Sequence, residues 1–156
     1  MKISIQNRQT KYPVQADNLQ LLADFLGSRL QELEPSLPWQ EISILLLDDE
    51  LITETNRQYF QKDRPTDVIT FRYDPIPGEE GYDGDVLVNC ERAIQVGPEH
   101  DGIQHELGLY IAHGFDHLSG AEDYTDEKRA AMRKTELAWL SEANKLDLLN
   151  QLIECK

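Results

Sequence analysis

The sequence predicts an α+β (mixed α/β) fold: a mixed sheet of about four strands with helices packed over it, and a histidine-bearing helix in the C-terminal half. Three observations predict it. KISIQ, near the start, alternates apolar and polar residues in the period of a strand, and Leu19, Leu22, Phe25 and Leu30 then recur at helical spacing. EISILLLDD, TDVITFRY and GDVLVNC are short apolar runs bounded by turn residues, as strands are. The resulting order is β, α, β, α, β, β, α, α.

Each element has a local reason. Residues 2–6 form the first strand, and the helix over roughly 17–33 is broken by Pro35 and Pro38. EISILLLDD is nearly continuous in apolar residues and suits the middle of a sheet. Asp49 is placed to cap the next helix, near 50–61, which shows Leu51, Ile52, Thr55 and Tyr59 on one side. TDVITFRY and GDVLVNC are separated by the loop PIPGEEGYDG, a link short enough for an antiparallel return. A helix then spans roughly 102–118, and a long amphipathic helix follows from Thr125, with Asp126 and Glu127 at its positive end.

Composition narrows the function. A chain of 156 residues, 40% hydrophobic and 28% charged, is the size of one globular domain spanning 1–156. MKISIQNRQT lacks the apolar stretch of a signal peptide or membrane span, so a cytoplasmic protein with no membrane partner is expected. Cys90 and Cys155 lie far apart and form no CxxC pair. The net charge of −14 opposes binding to a polyanion at long range. Screening confines that field to about 8 Å, however, and Arg57, Lys62, Arg64 and Arg72 fall within one segment.

The most informative stretch is HELGLYIAHGFDHLSGAED. His113 and His117 stand four apart in the predicted helix, so their side chains leave it roughly 40° apart in direction and about 6 Å apart along the axis, close enough to share one ion. Asp123 on a continued helix would point roughly 240° away from His117. Gly120 supplies the stop that lets the chain turn back, because a residue without Cβ takes the left-handed conformation that ends helices. His113, His117 and Asp123 are therefore the predicted ligands of one divalent ion, with zinc preferred. Positions would remain open for water and substrate. His100 reads as a loop residue and His105 as a surface or supporting residue.

A three-ligand site of this kind makes a bound water nucleophilic or polarises a phosphoryl or carbonyl oxygen, so hydrolysis is the natural chemistry. In HExxH peptidases a glutamate follows the first histidine; here that position is Gly114. Asp116 and Glu122 are alternative bases, although Asp116 points about 100° away from His117. Phosphoryl transfer needs a dedicated carboxylate less, since an RNA substrate carries its own 2′-hydroxyl. Two histidines and a carboxylate also describe the facial triad of non-haem iron oxygenases, which usually present it from a β-barrel.

HGFDHLSGAED, TDVITF and the Gly84-Asp85 element together resemble the YbeY family, whose motif has the form HGxLHLxGYDH, preceded by TDVLSF and GDI strands. The matches are His113, Gly114, His117, Leu118 and Gly120, then Thr66, Asp67, Val68 and Phe71, with Met132 and Glu136 suiting the helix that follows. The family's third histidine is Asp123 here, its tyrosine Ala121, the leucine before its second histidine Asp116, and its usual second-helix arginine Phe60. The resemblance implies a single-strand-directed endoribonuclease that matures the 3′ end of small-subunit ribosomal RNA and associates with the small ribosomal subunit. With Phe60 in place of the arginine, Arg57 or Arg64 is expected to contact phosphate. A metallopeptidase-like hydrolase and a non-catalytic ribosome assembly factor with a structural metal are the alternatives.

Overall fold

The computed structural model describes residues 1–155. Its elements run β1 (Lys2–Asn7), α1 (Ala16–Leu33), β2 (Trp39–Leu47), α2 (Asp49–Phe60), β3 (Val68–Tyr73), β4 (Tyr82–Asn89), α3 (Cys90–Val96), a 3₁₀ turn (Gly97–Glu99), α4 (Ile103–Leu118) and α5 (Asp126–Lys145). The four strands lie in the order β1-β2-β4-β3. β1, β2 and β4 are parallel, and β3 returns antiparallel beside β4. β3 is therefore an edge strand with a partner on one side only.

Strand alternation divides the core between the two faces of this sheet. Ile42, Ile44 and Leu46 of β2, with Val86 and Val88 of β4, join the main core with α1, α4 and α5. Leu47, Ile69 and Leu87 face the other way and pack with Ile52 of α2. α4 is the most enclosed helix: Leu107, Ile111, Phe115 and Leu118 are all fully buried beneath it, and each such side chain contributes about 1.5–3 kcal/mol relative to exposure. That apolar face fixes the direction in which the helix presents its histidines.

Three local expectations need correction. The cap of α2 is Asp48, whose carboxylate accepts from Leu51 N, and Asp49 is already the first helical residue. The strand expected to include Cys90 ends at Asn89, whose side chain caps a short helix, α3, that the hydrophobic pattern did not predict. The strand expected from Thr66 begins at Val68, because Thr66 and Asp67 belong to the approach loop, held by Asn89 Nδ2 on Thr66 O at 3.1 Å. Among the described residues, no helix is long and apolar enough to cross a membrane.

Candidate metal centre

α4 ends where the sequence predicts. Ser119 and Gly120 close it through backbone bonds to Phe115, Asp116 and His117, and Gly120 takes φ +103°. The chain then turns back, and Arg129 of α5 grips it by donating to Asp123 O at 2.9 Å. Asp123 is thereby brought to the histidines instead of continuing away from them. One ligand atom from each of His113, His117 and Asp123 lies within 4.8 Å of the other two, a group that can hold a metal ion.

The hydrogen bonds of the two imidazoles define their orientation. His113 Nδ1 lies 2.7 Å from Glu136 Oε2 and His117 Nδ1 lies 3.1 Å from Ala121 O. Both acceptors favour a proton on Nδ1, which leaves a lone pair on each Nε2. Those two Nε2 atoms are 3.0 Å apart, and His117 Nε2 is 3.7 Å from Asp123 Oδ2. Two lone pairs and a carboxylate facing one another repel unless a cation or a shared proton lies between them. The donor set of two imidazoles and a carboxylate suits a divalent ion such as zinc, and each histidine has the outer partner that metal-binding histidines typically have.

The electrostatics separate the two rings. Burial opposes charge on His113, but the hydrogen bond and charge of Glu136, with smaller help from Asp67 and Asp123, raise its pKa overall. Burial and the neighbouring His113 lower that of His117, against a partial counterweight from Asp123. Behind them, Asp116 is 2% exposed and Glu136 is 1% exposed. Burial, followed by the Glu136 charge, pushes the Asp116 carboxyl up to about 7. Asp116 Oδ2 and Glu136 Oε1 are buried without a hydrogen-bond partner.

Neither carboxylate weighed as a base sits at the histidine pair. Asp116 is buried behind it, and Glu122 is ion-paired with Lys128 Nζ at 2.9 Å. A glutamate at position 114 has no room, because even a Cβ there would lie 2.5 Å from Val86 Cγ1. The HExxH arrangement is thus excluded by the packing of α4 against β4.

The four cations that fall within one segment of the sequence do not all line one groove. Arg57 is tied to Asp63 at 2.6 Å, and Arg72 donates to Leu118 O at the end of α4 while lying over the Tyr82 ring. Lys62 and Arg64 remain, and they line a groove of about 320 Å³ with Asn56, Phe60, Thr70 and His117. His113 faces a second cavity of about 460 Å³, shared with Asp67, Asp123, Arg129, Arg133 and Glu136. His100 pairs with buried Glu106 at 2.9 Å, and His105 is half-buried outside the ligand group.

Sequence reasoning missed several contributors. Glu136 was read only as suiting its helix, Arg129 and Arg133 were not considered, and neither was Asn56, whose Nδ2 bonds Arg64 O at 2.9 Å and fixes the loop carrying Lys62 and Arg64. A polar Asn56 one turn after Ile52, on the buried side of α2, was the available signal.

Comparison with known proteins identifies the family. Residues 4–144 match the family model described as endoribonuclease YbeY. An endoribonuclease YbeY of Syntrophomonas wolfei is 30% identical over 146 residues, covering 87% of this chain and 93% of its own. One from Bacillus thuringiensis is 33% identical over 129 residues, covering 76% of this chain and 82% of its own. The solution structure of a Thermotoga maritima protein shares the fold, with a TM-score of 0.63 at 20% identity over 97% of this chain and 95% of that one. With the match running from the first strand to the last helix, the chain belongs to the YbeY endoribonuclease family.

Proposed function

We propose that this chain is a metal-dependent endoribonuclease that cuts unpaired RNA, using one zinc ion held by His113, His117 and Asp123. The reading extends to maturation of the 3′ end of small-subunit ribosomal RNA in the cytoplasm, with the small ribosomal subunit as partner. The observation that carries it is the pair of Nε2 atoms 3.0 Å apart, each with its Nδ1 committed elsewhere, with His117 lining the groove that also holds Lys62 and Arg64.

When bound there, zinc supplies Lewis acidity toward a phosphoryl oxygen or a water. The chain's own residues do the rest. Glu136 and the Ala121 carbonyl hold the rings in place, and Lys62 and Arg64 offer charge to the phosphates on one side. Arg133 offers it on the other, where Asp67, Asp123 and Glu136 share the cavity with His113. Among the described residues the ligand group has three members, which suits an open catalytic site better than a closed structural one. The excluded side chain at Gly114 disfavours a peptidase.

The test combines metal analysis with cleavage of single-stranded RNA, duplex RNA and an unstructured peptide. Wild-type protein is expected to carry about one zinc per chain and to cut the single strand alone. His117→Ala is expected to lose both metal and cleavage. A wild-type protein that cuts the peptide, or one that keeps its metal but cuts nothing, refutes the proposal.

A further inference from the structure

We infer that the exposed rings of Phe60 and Tyr59, backed by Phe71, form a stacking platform for an unpaired nucleobase of the RNA strand whose phosphates pass Lys62 and Arg64. The inference rests on the ribonuclease reading above and adds a base-binding subsite to it.

The first support is exposure in the wrong place for a core. Tyr59 and Phe60 close the last turn of α2 and are 56% and 45% exposed. Both meet Phe71 on edge strand β3. The Phe60 and Phe71 rings are nearly parallel, 6° apart in plane with centroids 6.2 Å apart, and Tyr59 tilts against Phe71 at 5.1 Å. Phe71 is itself packed against the cluster of Leu47, Ile52, Ile69 and Leu87, so the rings stand on a fixed base. A preorganised ring loses little freedom when a base stacks on it.

The second support is what lies beside the rings. Gln61 takes φ +55° and ends α2, so the chain turns directly from Phe60 into Lys62 and Arg64. Phe60, Lys62, Arg64 and His117 border one groove. Aromatic face, cations and His117 thus border one groove, the combination by which proteins hold single strands: stacking for the bases, charge for the phosphates. A protein partner would favour an apolar centre depleted of charge, whereas here two cations enter the groove itself. Duplex RNA offers no splayed base to such a platform, so the subsite selects unpaired strands.

The test uses the full chain, metal content checked, and two probes: a short 2′-O-methyl oligoadenylate and a strand of equal length in which the bases are absent. Phe60→Ala is expected to weaken binding of the oligoadenylate by about tenfold, with the salt slope unchanged, and to leave binding of the abasic strand as in wild type. Replacing Lys62 and Arg64 by alanine is expected to flatten the salt slope on both strands. Phe60→Trp is expected to restore affinity, and its indole emission to be quenched by the oligoadenylate, since Trp39 and Trp139 are both buried. Equal oligoadenylate affinity for wild type and Phe60→Ala overturns the platform alone. If Phe60→Ala also dissociates a dimer in sedimentation, the rings serve a second copy and the platform is again overturned. Wild-type protein that binds neither strand overturns the ribonuclease reading, and the platform falls with it.

Discussion

His113 and His117 sit one turn apart on the same helix, yet they are held by different kinds of structure. His113 is fixed by the side chain of Glu136, 23 residues away on α5 and almost fully buried. His117 is fixed by a backbone carbonyl four residues on, at Ala121, presented by the turn that Gly120 makes. One flank therefore depends on the identity of a distant residue and on the docking of two helices. The other depends on the path of the chain and tolerates any side chain that leaves this path intact. The difference also grades the surroundings: buried carboxyls and α5 lie behind His113, whereas the open groove and the edge strand lie beside His117.

The largest effect should come from the distant anchor. Glu136→Gln keeps the shape of the side chain and removes its charge, and is expected to lower zinc affinity by about 10–100-fold, the usual loss when an outer partner of a metal-binding histidine is replaced. Ala121→Ser leaves the carbonyl in place and is expected to leave affinity unchanged. Competition against a chromophoric chelator measures both. Equal losses in the two variants would mean that the flanks do not differ as their hydrogen bonds indicate.

The next effect concerns the carboxyl pair behind His113. Asp116 is pushed up to about 7 in the folded protein, against an ordinary value of 3.8. Between those values the native state binds a proton that the unfolded chain has released. The contribution of Asp116 to stability is therefore present at low pH and is lost as pH rises through about 7. Asp116→Leu removes this slope. Metal-free Asp116→Leu is expected to be more stable than wild type at pH 8 by roughly 1–2 kcal/mol, because a buried carboxylate no longer faces Glu136, with the difference vanishing near pH 5. Denaturant unfolding at the two pH values reads it. A difference independent of pH would place the effect in packing and not in charge.

The same division explains what could be read from the sequence. His113, His117, Gly120 and Asp123 fall within eleven residues, and helix geometry plus one glycine is enough to bring them together. The strands of the sheet were legible for a similar reason, since each carries its own short apolar run or alternation. Glu136 was not, because α5 reads as a charged surface helix and only its docking on α4 buries that carboxylate. α3 escaped notice because seven residues carry too little periodicity, and its start is set by the side chain of Asn89. The four cations of the segment 57–72 separate because closeness in sequence says nothing about side-chain partners: Asp63 takes Arg57, and the end of α4 takes Arg72.

The smallest effect tests the local flank. Gly120 holds φ +103° with nothing but Arg72 Nη1, at 3.9 Å, near the place where a Cβ would go. Space is therefore not the obstacle to a side chain there, but conformation is. Gly120→Ala is expected to cost about 1–2 kcal/mol in stability, the usual penalty for placing an L residue in left-handed backbone. Because the turn presents both the Ala121 carbonyl and Asp123, the same strain should also weaken metal binding. The two readouts separate the outcomes. A variant that loses stability but retains full zinc affinity shows that the turn is only a helix end, and the local anchor of His117 would then have to be sought elsewhere. A parallel loss of both, smaller than that of Glu136→Gln, means that the path of the chain at Gly120 orients His117 as the buried carboxylate orients His113.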